Sequence, residues 1–312
     1  MILTLTLNPS LDRTIEVGSF APGEVVRTTG TGVEPGGKGV NVTRALLLNG
    51  VRSRAVVTRG QDEGDQLVDA LAAAGVDVIA IDVGGRTRSN VTVAEPSGRV
   101  TKFNEPGPAL TVAELHAAAE AVLAAAGAAD WVVLSGSLPP DVPDDHYANL
   151  TRRCLAAGVN VAVDTSGSAL RHAASVGPTL VTPNRDELAE VTDLRIATIG
   201  DVVVASLVLQ AYGAASVLTS LGGDGALLLE GDRVSYATCP AETVRSTVGA
   251  GDALLAGFLA AGGIGPEALR NAVAWGAASV ALPGSQMPRP DDVRLDLATV
   301  TTEPDESLRL SP

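Results

Sequence analysis

An α/β protein built on a mainly parallel sheet is what this sequence predicts, and three observations carry that reading. Short apolar runs rich in β-branched residues alternate with Ala/Leu-rich helical stretches, the pattern of strands covered on both faces by helices. Residues 14–34 and 88–103 break that rhythm with period-two runs beside Gly and Pro turns, and read as a small β appendage inserted into the main unit. With 312 residues, 46% of them hydrophobic, the chain can bury one large core, which an aromatic content of 3% leaves mainly to Ala, Val and Leu.

The elements follow in order. Residues 1–7 alternate at period two and lack a basic leader, so they read as a strand and not as a signal peptide. The glycine cluster at residues 35–41 opens a helix that runs through Arg44 to Leu48. Strands are expected at residues 55–58, 131–135, 159–164, 180–182 and 217–220, with helices between them. Residues 202–223 carry no charge, but Gly213 and the Gly222-Gly223 pair divide them into a helix and a strand of the buried core, not a membrane span. Residues 253–261 form an apolar helix, and the Pro-, Asp- and Glu-bearing tail after Thr301 reads as a frayed end.

Charge narrows the function. The net charge of −14, from 22 basic and 36 acidic residues, disfavours nonspecific binding to nucleic acid or to anionic membranes, so an anionic substrate needs a locally basic pocket. Cys154 and Cys239 are too few for a disulfide framework or a zinc site and read as small apolar core residues, which fits a reducing cytoplasm. His116, His146 and His172 have no partners at metal-ligand spacing and read as structural or solvated.

The most informative stretch is Ser246-Thr247-Val248-Gly249-Ala250-Gly251-Asp252. It sets two glycines and a carboxylate at the mouth of a helix, where unpaired N–H groups and the helix dipole hold anions. A carboxylate there repels phosphate, so Asp252 is either a helix cap or a base that takes a proton from an attacking hydroxyl. A second cluster, Pro35-Gly36-Gly37-Lys38-Gly39-Val40-Asn41, places Lys38 and Asn41 on one face of a first helical turn, able to converge on a polar ligand. Asn8-Pro9-Ser10-Leu11-Asp12, after the first strand, brings another carboxylate to the same edge.

Taken together, Gly-Gly-Lys-Gly-x-Asn near the start and Thr-Val-Gly-Ala-Gly-Asp near the end resemble the signatures of the PfkB branch of the ribokinase family of sugar kinases. Ser135-Gly136-Ser137-Leu138-Pro139-Pro140, Thr182-Pro183-Asn184-Arg185-Asp186-Glu187 and Ser220-Leu221-Gly222-Gly223-Asp224-Gly225 fall in that family's order, so the resemblance spans nearly the whole chain. It implies a ribokinase-like three-layer αβα sandwich with a small β-sheet lid, residues 1–312 forming one kinase domain with the lid inserted at about 14–34 and 88–103. Within the branch the chain is most similar to the 1-phosphofructokinase group. The implied reaction is transfer of the γ-phosphoryl group of ATP to fructose 1-phosphate, giving fructose 1,6-bisphosphate.

The roles implied by the resemblance are specific. Asp252 is the general base and Gly249, Ala250 and Gly251 form the anion hole. Asp12, Gly37, Lys38, Asn41, Arg88 and Ser137 line the phosphosugar site, with Lys38 and Arg88 facing the substrate phosphate. Asn184, Ser220, Gly222, Gly225, Ser246 and Val248 approach ATP, and Glu187 acts on Mg²⁺ through water. Two positions depart from the pattern: Thr182 stands where the family usually carries Lys, with Arg185 a candidate replacement cation, and Val25 stands where many relatives carry Asn or Lys. A homodimer paired through the lid is expected, because small β flaps expose edges.

Lys38 argues against the minor 6-phosphofructokinase as the substrate class, while tagatose-6-phosphate kinase remains a neighbouring alternative. A catalytically silent sugar-binding regulator on the same fold is a further alternative, which a retained Asp252 disfavours. A nicotinamide-dependent oxidoreductase does not fit, because residues 3–7 are not followed by a Gly-x-Gly-x-x-Gly turn into a helix.

Overall fold

A computed structural model describes the whole chain except Pro22, Gly98 and Pro312. Ten strands form the main sheet, in the order β14-β13-β12-β11-β10-β9-β8-β1-β4-β5. Its parallel part comprises β1 (Ile2–Thr6), β4 (Ser53–Arg59), β5 (Asp77–Asp82), β8 (Trp131–Ser135), β9 (Asn160–Asp164), β10 (Leu180–Val181) and β11 (Ser216–Ser220). An antiparallel edge follows, made of β12 (Ala226–Glu230), β13 (Arg233–Thr238) and β14 (Thr299–Thr301).

The strands are apolar on both faces, and their alternation sorts the core into two layers. Leu3 and Leu5, Val132 and Leu134, and Val161 and Val163 face one helix layer, formed by α3 (Val112–Ala126), α4 (His146–Ala156), α5 (Gly167–Ala174), α6 (Arg185–Thr192) and α7 (Ile199–Tyr212). Ile2, Trp131, Val133 and Ala162 face the other, formed by α1 (Lys38–Leu48), α8 (Ala250–Ala260) and α9 (Gly265–Val280). Helix α2 (Gln61–Ala73) buries Leu67 and Leu71 in a smaller cluster with Leu11, Val40, Ala55 and Val57. This is the three-layer sandwich expected from the sequence, with strand starts and ends within a few residues of those read there. Helix α8 begins three residues earlier than the apolar run alone marks, because Gly249 at φ 79° turns the chain into it.

The lid is a separate four-stranded sheet in the order β3-β2-β6-β7, from β2 (Ser10–Val17), β3 (Thr28–Gly36), β6 (Arg88–Ala94) and β7 (Val100–Asn104). It starts at Ser10, earlier than expected, since the chain leaves β1 and enters β2 after only Leu7, Asn8 and Pro9. Strand β2 pairs antiparallel with β3 and parallel with β6, setting Asp12 opposite both Glu34 and Asn90. Among the described residues no helix is long and apolar enough to cross a membrane.

Two expectations are corrected. The tail after Thr301 is not frayed: Leu310 is buried in the first core layer, and the backbone amides of Ile199 and Gly200 donate to Leu308 and Glu306. An apolar anchor and paired backbone outweigh the polar composition of the segment. Cys239 is only partly buried, packed against the edge of the second core layer where β13 ends and the chain leaves the sheet; Cys154 is fully buried, and burial pushes its thiol up to about 11.

Helices α8 and α9 pack tightly at Gly257, where a Cβ would lie 2.7 Å from Trp275 Cγ and 2.9 Å from the Asn271 carbonyl. Gly257→Ala is therefore expected to destabilise the fold by about 1–3 kcal/mol through overpacking, read as a lowered denaturation midpoint in chemical melts. An unchanged midpoint would contradict this packing.

Candidate active site

The carboxyl ends of β9, β10 and β11 open into one cavity of about 670 Å³. This is where open α/β sheets bind ligands. The lid adds Ser10, Asp12, Arg88 and Asn90 to its wall, and the N-termini of α1 and α8 enter it from the sandwich.

Both helix starts depend on a glycine. At Gly37, φ is 117° and a Cβ would lie 2.9 Å from Thr6 Cγ2; at Gly249, φ is 79° and a Cβ would lie 2.6 Å from Met287 Cε. Substitution is therefore both strained and crowded at each. By contrast, no protein atom lies within 4 Å of a Cβ placed on Gly222, Gly223 or Gly251. The missing side chains there leave room in the cavity for a ligand to approach the backbone.

The helices meet at Asp252. Asn41 Nδ2 donates to Asp252 Oδ2 at 2.8 Å, and only 7% of Asp252 is exposed. Burial, reinforced by the negative charge of Asp164, pushes the Asp252 carboxyl up to about 7, against the opposing pull of Lys38 and the Asn41 hydrogen bond. A carboxyl poised there can accept a proton near neutral pH.

Lys38 Nζ donates to Asp164 Oδ1 at 2.8 Å and lies 3.5 Å from Glu187 Oε1. Burial opposes its charge, but Asp164, Glu187 and Asp252 outweigh that and hold its pKa above the ordinary lysine value. Asp12 accepts from Ser10 Oγ at 2.7 Å and from Asn90 Nδ2 at 2.9 Å. Arg88 donates through Nη1 to the Glu105 carbonyl at 3.1 Å, while its buried Nε has no partner.

On the far side, Asn184 Oδ1 accepts from the Glu187 amide at 2.9 Å and Glu187 Oε2 accepts from the Asn184 amide at 2.9 Å, a reciprocal helix cap. Both also line the cavity, with Ser220, Gly222, Gly225, Val248 and Ala250. Beyond them the wall is apolar, from Val244, Val273, Ala277 and Val280, joined by Cys239. Flat aromatic groups suit such a wall.

The structure thus brings most of the sequence-derived residues to one cavity, with two exceptions. Ser137 is exposed and receives a hydrogen bond from Asn8 Nδ2 at 3.3 Å, and Ser246 accepts from the Val248 amide at 3.2 Å; neither lines the cavity. Arg185 does not replace a cation beside Thr182, because its guanidinium turns away to the carbonyls of Ser311 and Ile196. The Thr182 hydroxyl is left without a partner. Asp164 and Asn90 were not singled out from the sequence; their signal is position, at the carboxyl end of a parallel strand and opposite Asp12 in the lid.

Comparison with known proteins places this geometry. The model of a family described as pfkB family carbohydrate kinase matches residues 5–292. The chain belongs to the pfkB family. It is 35% identical to a 1-phosphofructokinase of Bacillus subtilis over 83% of this chain and 85% of that one. It is 36% identical to an ATP-dependent 6-phosphofructokinase isozyme 2 of Mycobacterium tuberculosis, over 97% of this chain and 91% of the relative. The crystal structure of Escherichia coli phosphofructokinase-2 in complex with potassium superposes with a TM-score of 0.88, at 34% identity, covering 93% of this chain and 96% of the other. The expected ribokinase-like sandwich with a lid is therefore the observed fold, and this pfkB member is a sugar kinase, a phosphotransferase for which the family implies ATP as donor.

The raised carboxyl carries a stability signature. Asp252 binds its proton more tightly in the folded chain than an ordinary aspartate does, so its charged form costs stability as pH rises from about 4 through 7. Asp252→Asn removes that cost. Its melting temperature is expected to exceed that of the parent by about 2–4 °C at pH 8 and by less at pH 5. Equal differences at the two pH values would rule out a raised Asp252.

Proposed function

We propose that this pfkB-family kinase phosphorylates fructose 1-phosphate at its free primary hydroxyl, with ATP as donor and fructose 1,6-bisphosphate as product, working as one unit with its lid. The observation that carries the reading is Asp252: a carboxyl with its pKa near 7, buried between two helix N-termini, in the same cavity as Arg88 and Lys38. The 1-phosphofructokinase name of the Bacillus subtilis relative supports the substrate.

In this reading Asp252 takes the proton of the attacking hydroxyl, and the amides of Gly249, Ala250 and Gly251 at the start of α8 stabilise the charge that develops on the transferred phosphoryl. Asp12 and Asn90 orient sugar hydroxyls from the lid, with Gly37 and Asn41 on the opposite wall. Arg88, whose Nε is unpaired, meets the sugar phosphate. Lys38 is fixed by Asp164 and Glu187, so its charge lies between the acceptor and donor halves of the cavity. Asn184, Ser220, Gly222, Gly225 and Val248 border the nucleotide phosphates, and the apolar wall takes the base. Asp164 and Glu187 offer oxygen donors for Mg²⁺. Among the described residues no cluster of three or more ligating side chains exists, which suits an ion that takes most of its ligands from phosphate and water. When bound, that ion neutralises phosphate charge.

The lid supports a homodimer. Val33, Arg13, Val91 and Phe103 are in register across its four strands, so they share one face, and the row carrying Asp12 and Asn90 takes the other. Val33 is 52% and Phe103 53% exposed, and burial against a second lid would remove both from water.

A coupled ADP-release assay across fructose 1-phosphate, fructose 6-phosphate and tagatose 6-phosphate is expected to show the highest kcat/KM with fructose 1-phosphate. Preference for a 6-phosphate, as the Mycobacterium tuberculosis relative's name implies for that enzyme, would overturn the substrate. No turnover on any of the three would overturn the activity. Asp252→Asn should lower kcat by about 10²- to 10⁴-fold, and kcat/KM of the parent should fall as pH drops below about 7. Near-normal turnover of the variant would refute the base. Light scattering is expected to give twice the chain mass; a monomer that stays fully active at assay concentration removes the lid dimer.

A further inference from the structure

We propose that the C-terminal segment, residues 306–311, is a strap that positions the nucleotide loop Gly222–Gly225 through Asp224. The proposal rests on reading that loop as the one facing the ATP phosphates.

The loop is a single tight turn closed by its own backbone, with the Leu221 amide donating to the Gly225 carbonyl at 2.8 Å and the Asp224 amide to the Leu221 carbonyl at 3.2 Å, so what its own bonds leave open is how the turn is seated against the rest of the molecule. Gly222 and Gly225 sit at φ 61° and 93°, and Gly222, Gly223 and Gly225 line the cavity while Asp224 does not. Its one side chain with hydrogen-bonding groups is turned to the strap. Asp224 Oδ2 accepts from the Ser311 amide at 2.8 Å and Oδ1 accepts from Ser311 Oγ at 2.9 Å. The Asp224 carbonyl accepts from Tyr236 Oη at 2.6 Å, so the residue is held on both sides.

The strap is itself anchored. Leu310 is 9% exposed within the core, its amide donates to the Ala197 carbonyl at 3.0 Å, and the Ile199 amide donates to the Leu308 carbonyl at 3.0 Å. Arg185 completes the link. Its guanidinium donates to the Ser311 carbonyl and, at 3.1 Å, to the Ile196 carbonyl. Arg185 is the residue after Asn184, so one segment ties together two elements that border the donor half of the cavity. A glycine-rich loop that is ordered only on binding charges its entropy against affinity, whereas one already held does not. The strap also keeps the Asp224 carboxylate committed to Ser311, away from the phosphates. Asp224, Arg185 and Ser311 are positioning residues, with no contact to substrate.

Full-length Asp224→Ala, Asp224→Asn and Gly223→Val variants test this, with ATP affinity read by calorimetry and KM values read for both substrates. Asp224→Ala is expected to raise the Kd and KM for ATP on the order of tenfold, with KM for the sugar phosphate within about twofold. Asp224→Asn keeps an oxygen for the Ser311 amide and should recover most of the loss. Gly223→Val fills cavity space without a strained φ and should weaken ATP binding whether or not the strap matters. Unchanged ATP affinity in Asp224→Ala alongside a weakened Gly223→Val overturns the strap alone. An equal rise in both KM values in Asp224→Ala makes the role merely structural and overturns it too. Unchanged ATP affinity in Gly223→Val overturns the assignment of the loop to the nucleotide, and the strap with it.

Discussion

Everything at this site is arranged around one carboxylate that the fold withholds from water. Asp252 is buried where the first turns of α1 and α8 converge, and a charge placed there is eased by the Lys38 ammonium, by the amide that Asn41 commits to it and by the positive potential of helix N-termini. The convergence needs the two positive-φ glycines: a Cβ at Gly37 would crowd Thr6 and the Pro9 backbone, and one at Gly249 would be strained by φ and would push the Met287 methyl aside. It also needs the apolar contacts of both helices with the sheet, through Val42, Leu46, Ala253 and Phe258. Reactivity and packing are here the same constraint, since loosening either helix would hydrate the carboxyl and return it toward its ordinary range.

The charges around it are unequal in their freedom. Asp12, Asp164, Glu187 and Asp252 share the cavity with Lys38 and Arg88, so it is acidic on balance, like the chain. Lys38 is taken up by two carboxylates, whereas Arg88 forms no ion pair among the described residues. On the acceptor side, beside Asp12, Arg88 is therefore the cation left for an anionic group of the sugar.

Much of this was legible in the sequence, for identifiable reasons. Glycine clusters beside Lys38 and Asp252 are local signals, since helix starts and positive-φ turns are decided within a few residues. The strand runs were legible because parallel strands buried on both faces are continuously apolar. Asp164 was not, because a carboxylate that ends a strand acquires meaning only from which strands lie beside it. Arg185 looked like a replacement cation by adjacency, and only the packing of the tail shows it turned away. That tail misled through its composition: Leu310 alone supplies the burial that fixes it, and one apolar residue in a polar segment is a weak signal.

The pairing of the lid also governs the order in which the molecule can be built. Its central strands, β2 and β6, lie side by side with Ser10 opposite Arg88, so they cannot join until β4, α2 and β5 have been laid down between them in the chain. Nonlocal pairs of this kind form late, after the contacts with shorter loops. The lid joins the large sheet through the short link from β1 to β2, and within a single chain, before any second lid covers it, much of its outer face lacks a packed neighbour. It is therefore the part expected to open first in hydrogen exchange while the sandwich beneath stays closed.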